Sequence, residues 1–152
     1  MKPPWRLDIG LLILRIALGL ILIFHGSQKL FTGVFGGRGY AATMEDMTSH
    51  RIPPALAILA ISAEFLGGLG VLVGFLTPLA ALGIAATMAV GFAREVTTSG
   101  ALKAFLESGD HTAAAVVLYP LILAMAALSL VVMGAGRYSL DARIFKRKGK
   151  AA

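Results

Sequence analysis

Four apolar runs, each long enough to cross a lipid bilayer, limit what this chain can fold into. They extend from about Ile9 to Phe31, Pro54 to Phe75, Pro78 to Val96 and Thr112 to Met133. A membrane-spanning helix needs roughly 20 predominantly apolar residues. The expected fold is therefore all-α: a polytopic membrane protein built as a bundle of four transmembrane helices. With 57% hydrophobic and 14% charged residues among 152, and a mean hydropathy of +0.82, the composition excludes an ordinary soluble domain. No internal segment has the composition of an interdomain linker, so residues 1–152 read as a single membrane domain.

The connections are short or mixed in charge. Leu76-Thr77-Pro78 joins the second and third runs and has room only for a tight helical hairpin. In the connection from Thr32 to Pro53, a glycine cluster is followed by Tyr40, Met44 and Met47 at helical spacing, which suggests a short interfacial helix. Leu102, Phe105 and Leu106 suggest another in the connection from Thr97 to His111. The first run follows a basic start, but it is too long for a signal-peptide core and no A-x-A site follows, so it reads as a retained helix.

Lys2 and Arg6 precede the first run, and a basic tail over residues 137–152 carries Arg137, Arg143, Lys146, Arg147, Lys148 and Lys150. An even number of spans with Lys and Arg gathered at the ends places both termini in the cytoplasm. The same tail is explained by topology, so no nucleic-acid partner is expected. Rows of small residues, Gly67, Gly70 and Gly74 in the second run and Gly83, Thr87 and Gly91 in the third, allow close helix approach. Packing within the chain is the favoured reading of these rows, and a homodimer face stays open.

Ionisable residues at bilayer depth usually face the bundle interior, where they pair or serve function. The first run holds Arg15, His25 and Lys29, together with Gln28, and the second holds Glu64. Arg15 and Glu64 differ by about 10 Å in expected depth, a gap two long side chains can close, so a buried Arg15–Glu64 pair is expected. His25 and Lys29 share a helix face at i, i+4. His25, Gln28 and Glu64 suit an apolar pocket that binds a polar head group. Arg94 and Glu95 read as boundary markers, and Tyr119-Pro120 as a kink in the fourth helix. The chain has no cysteine, which rules out thiolate chemistry by its own residues. No nucleophile elbow, Walker loop or HExxH motif occurs, and no metal site is expected. No catalytic residue is assigned, and catalysis by the chain alone is not expected.

Three motifs resemble those of the DoxX family of small four-helix membrane proteins. Leu14-Arg15-Ile16-Ala17-Leu18-Gly19 with Phe24-His25-Gly26-Ser27-Gln28-Lys29-Leu30 resembles its first-helix signature. Glu64-Phe65-Leu66-Gly67-Gly68 with Gly74-Phe75-Leu76-Thr77 resembles the second, and Gly134-Ala135-Gly136-Arg137-Tyr138-Ser139-Leu140-Asp141 the closing motif. The resemblance implies an inner-membrane protein of a bacterium or archaeon. It also implies a link to membrane redox complexes, since members include a small subunit of a thiosulfate:quinone oxidoreductase. A non-covalently bound quinone and redox subunits as partners follow as expectations. A structural or assembly protein without a ligand, and a small transporter or proton pathway using Glu64, remain the alternatives.

Overall fold

The computed structural model describes residues 4–97, 100–109 and 111–145. It contains α1 (Pro4–Leu30), α2 (Gly39–Ser49), α3 (Pro54–Val73), α4 (Thr77–Thr97), α5 (Ala101–Ser108), α6 (His111–Met133) and α7 (Leu140–Ile144), with a 3-10 turn at Val34–Gly36 between α1 and α2. Among the described residues there is no strand, only an isolated bridge between Thr32 and Arg38. Helices α1, α3, α4 and α6 are long and apolar enough to span a bilayer. The chain is thus a four-span, all-α membrane protein, with α2 and α5 as short helices in the two longer connections. Of the basic tail, Lys146, Arg147, Lys148 and Lys150 lie outside the described residues, as does Lys2.

Helix α1 begins five residues before the apolar run does, because Trp5, Arg6 and Asp8 continue it. Aromatic and basic residues are at home at the membrane–water boundary. Helix α3 ends at Gly74, whose φ of 72° is a left-handed conformation that favours glycine. The α3–α4 hairpin is as short as the sequence implies.

Glycine sets the main helix contact. A Cβ on Gly19 would lie 2.8 Å from Leu72 Cβ, and one on Gly26 would lie 2.7 Å from Phe65 Cα. A Cβ on Gly68 would reach 3.0 Å from the Ile23 nitrogen. The α1 and α3 backbones therefore approach as closely as missing side chains permit. Gly67 faces Ile84, Gly83 faces Ala63 and Gly91 faces Pro120, so these small residues are used inside the chain. Helix α4 packs on α6, and α3 bridges the two helix pairs. The core between them is built from Leu18, Leu22, Val71, Ile84, Ala127 and Leu130. Large apolar side chains such as Leu66, Leu79, Ile122 and Val132 point outward, as lipid-facing positions do.

Candidate functional site: two polar clusters at opposite ends of the bundle

Helices α1 and α3 run antiparallel, with Gly19 opposite Leu72 and Gly26 opposite Phe65. Each step along α1 thus matches a step back along α3. Glu64 falls level with about Ser27, and Arg15 falls level with the Phe75–Thr77 turn. Arg15 and the residue opposite Glu64 are separated by about 12 residues of helix, or ~18 Å. The expected Arg15–Glu64 pair therefore does not form. The sequence estimate was too short because it lacked the helix register.

Arg15 instead serves the end of the bundle that holds the α3–α4 turn. Its side chain is almost wholly buried. Nε donates to Val71 O at 2.9 Å and Nη2 to Leu72 O at 3.0 Å. Nη1 donates to Ala135 O and Tyr138 O, each at 2.8 Å. Val71 and Leu72 are among the last carbonyls of α3, which have no partners within the helix and form the negative pole of its dipole. One guanidinium therefore closes the α3 terminus and ties it to the segment after α6. Gly74 is required beside it, since a Cβ there would lie 2.5 Å from Arg15 Nη2.

Asp141 completes this closed end. Its carboxylate accepts from Leu76 N at 2.7 Å and Thr77 N at 2.9 Å, capping the start of α4. Its own N–H donates to Gly74 O at 2.8 Å. Asp8 Oδ1 accepts from Arg137 N at 2.8 Å. These contacts lock the first span, the hairpin and the last segment together.

The second cluster lies toward the opposite end. Lys29 Nζ stands 2.5 Å from Glu64 Oε1. The Glu64 side chain is 2% exposed and that of Lys29 is 36% exposed, so a buried carboxylate meets a partly accessible ammonium. Glu64 Oε2 is buried and has no hydrogen-bond partner among the described residues. Across from this pair, His25 Nε2 lies 2.5 Å from Tyr119 Oη, and the two rings meet edge to face. This contact links α1 to α6, helices that otherwise touch little.

Lys29, Glu64, His25 and Tyr119 all line one cleft of about 870 Å³ between α1, α3, α4 and α6. Its walls are mainly apolar, with Leu22, Leu59, Ala63, Val90 and Leu123 among them. Arg51, Arg94 and Glu95 stand at the end of the cleft where α2 leads into α3 and α4 finishes. A neighbouring polar pocket of about 310 Å³ shares His25, Lys29, Met47 and Arg94 with the cleft. Such an arrangement is that of a small-molecule site: an apolar concavity with a few convergent polar groups. Among the described residues no trio of His, Asp or Glu side chains is placed to hold a metal ion.

Of the residues singled out from the sequence, His25, Lys29 and Glu64 come together at the cleft. Gln28 belongs to the smaller pocket, where its amide donates to Phe35 O at 2.7 Å and holds the 3-10 turn. Arg15 is at the other end of the molecule. The sequence reading missed Tyr119 as a site residue, although a phenol in the middle of an apolar run signals a hydroxyl in need of a partner. It also treated Arg94 and Glu95 only as boundary markers. The contacts of Asp141, inside the closing motif, are not readable from the sequence, because its partners are backbone N–H groups.

Comparison with known proteins shows the family. The DoxX family model matches residues 10–94, the span from α1 through most of α4 that holds Arg15, His25, Lys29 and Glu64. Inner membrane protein YqjF of Escherichia coli (strain K12) is 31% identical over 144 residues, covering 93% of this chain and 95% of that protein. No solved structure matches the chain.

Proposed function

This chain belongs to the DoxX family, and on that premise we propose that it is the membrane-embedded, ligand-binding subunit of a quinone-linked redox complex. A single observation carries the reading: a cleft of about 870 Å³ within the spans, apolar along its walls, with a buried ion pair and a His–Tyr pair at polar points. A long-tailed quinone matches both features, its tail along Leu59, Val90 and Leu123 and its head toward Lys29, Glu64, His25 and Tyr119. The partly accessible Lys29 ammonium and the His25–Tyr119 pair, which line the cleft, are the features that argue for a polar head rather than an acyl chain alone. The quinone would bring the redox chemistry; this chain's residues would bind its head and exclude water.

The relative's description as an inner membrane protein favours the plasma membrane, and the Lys and Arg at the chain ends favour cytoplasmic termini. In that orientation the Arg15 end faces the cytoplasm and the cleft opens toward the outer side. We read residues 1–152 as one DoxX-like domain in this role.

Extraction in mild detergent followed by mass spectrometry tests the proposal. A redox subunit and a quinone recovered with the wild-type chain are expected. Recovery of a single species without partner or ligand contradicts it and leaves a structural role.

A further inference from the structure

We propose that the end of the cleft flanked by Arg51 and Arg94 binds the phosphate of a membrane phospholipid, whose acyl chains lie along the α3 and α4 walls. This goes beyond the quinone reading and does not depend on it, because neither arginine is among the groups assigned to the quinone head.

Arg51 stands where a glycine is usual. Helix α2 ends with Arg51 N–H donating to Thr48 O at 2.9 Å and Ile52 N–H donating to Met47 O at 3.1 Å. That pair of bonds closes a helix through a residue in the left-handed conformation, most often glycine. Arg51 takes this position with a φ of 62°. A Cβ makes the conformation unfavourable, so the turn itself would be better served without a side chain. Residues held in this way cluster at ligand clamps, and this one lines the cleft.

Arg94 reaches the same end of the cleft from the last turn of α4, and it also lines the smaller pocket. Neither arginine enters an ion pair among the described residues, where the pairs are Lys29–Glu64, Arg38–Asp46 and Lys103–Glu107. The cleft wall carries Lys29, Arg51 and Arg94 against Glu64 and Glu95, and Glu64 is held by Lys29. Positive charge is therefore in excess where the two arginines stand. Arg51 lies just before α3 and Arg94 close to the end of α4, so both sit at an end of a membrane span, the level of lipid phosphates.

An apolar stripe runs from each arginine into the cleft: Ile52, Leu56 and Leu59 from Arg51, Val90 and Ala86 from Arg94. Leu56, Leu59 and Val90 are 55%, 64% and 57% exposed although they line the cleft, so this side of it is open to the bilayer. A free anion would use the arginines and leave these walls bare. A phospholipid uses both, because a guanidinium binds phosphate with paired, charge-assisted hydrogen bonds while the chains cover the apolar walls.

Native mass spectrometry of the delipidated chain in mild detergent tests this, with phosphatidylglycerol, diacylglycerol and glycerol phosphate as probes. Diacylglycerol has the chains without the phosphate, and glycerol phosphate has the phosphate without the chains. A hydrogen bond to a charged group corresponds to about a tenfold or larger difference in affinity. The wild-type chain should bind phosphatidylglycerol at least about tenfold more tightly than either of the others. Arg51→Gly suits the turn, so its unfolding midpoint without lipid should equal or exceed that of the wild type. Its preference for phosphatidylglycerol over diacylglycerol should nonetheless fall about tenfold, and Arg94→Gln should lower it likewise. Arg6→Gln, at the opposite end of α1 from Lys29, should leave the preference unchanged. Phosphatidylglycerol and diacylglycerol binding alike to the wild type would overturn the proposal, as would a preference that survives in Arg51→Gly or Arg94→Gln. An equal loss in Arg6→Gln would overturn it too, by showing a general attraction of lipid to arginines. Glycerol phosphate bound as tightly as phosphatidylglycerol would overturn it in favour of a free anion.

Discussion

Lys29 Nζ stands 2.5 Å from Glu64 Oε1, an ion pair that fastens the last turn of α1 to the middle of α3. The pair sits where the α1–α3 register brings its members to nearly one level, and it forms one edge of the cleft. Removing the ammonium strands a buried carboxylate, which is expensive in proteins and more so in lipid. Lys29→Met should therefore destabilise the detergent-solubilised protein by on the order of 3 kcal/mol, near the lower end for a buried pair because Lys29 is partly accessible. Adding Glu64→Gln to Lys29→Met should recover at least ~1 kcal/mol of that loss. Unfolding midpoints of the two single variants and the double variant measure the coupling; purely additive losses would contradict it.

Arg15 and Glu64 belong to different ends of the bundle and should act independently. Arg15→Met takes the guanidinium donor from the Leu72, Ala135 and Tyr138 carbonyls and leaves Val71 O with only the Gly74 N–H, a loss of about 3 kcal/mol or more. Arg15→Lys should rescue little, since one ammonium cannot reproduce a fork that reaches two chain segments. Combined with Glu64→Gln, the losses should add to within about 0.5 kcal/mol. A clear departure from additivity in thermal unfolding would show a coupling that the register does not allow.

Gly26 is a test of the close α1–α3 approach. A Cβ there would stand 2.7 Å from the Phe65 backbone, so Gly26→Ala must push the helices apart. A loss of about 1–3 kcal/mol is expected. Gly10, which has open space around it, is the control and should tolerate alanine without loss of stability. Equal behaviour of the two variants in an unfolding assay would contradict the packing described.

Orientation is checked by labelling. Cysteines introduced singly at Ser49 and Ser108, in the two longer connections, should react with a membrane-impermeant reagent in intact cells. One introduced at Ala151 should react only after the membrane is opened. The reverse pattern would place the cleft on the cytoplasmic side.

The spans and the short helices were legible because hydropathy and helical spacing are local properties of the sequence. The positions of α2 and α5 follow from Tyr40, Met44 and Met47 and from Leu102, Phe105 and Leu106. The partners of the buried charges were not legible, because they depend on register. A depth estimate counted from the ends of the runs put Arg15 within side-chain reach of Glu64, whereas the Gly19 and Gly26 contacts set Lys29 there. Arg15 was misread for a second reason: its partners are backbone carbonyls, which leave no mark in a sequence. Tyr119 belongs to the cleft only because α6 packs beside α1 at that level, and its neighbour Pro120 drew attention to the backbone instead of the phenol.

The central claim is that a quinone head occupies the cleft beside Glu64, and photoaffinity labelling tests it most directly. A quinone bearing an azide on its ring should modify peptides that line the cleft, those containing His25–Lys29, Leu59–Glu64 or Tyr119. Excess unlabelled quinone should suppress the reaction, and Ala60→Phe, which fills the cleft from α3, should abolish it. Labelling spread over outward-facing positions such as Leu66, Leu79 and Val132, unaffected by competitor or by Ala60→Phe, would contradict the account.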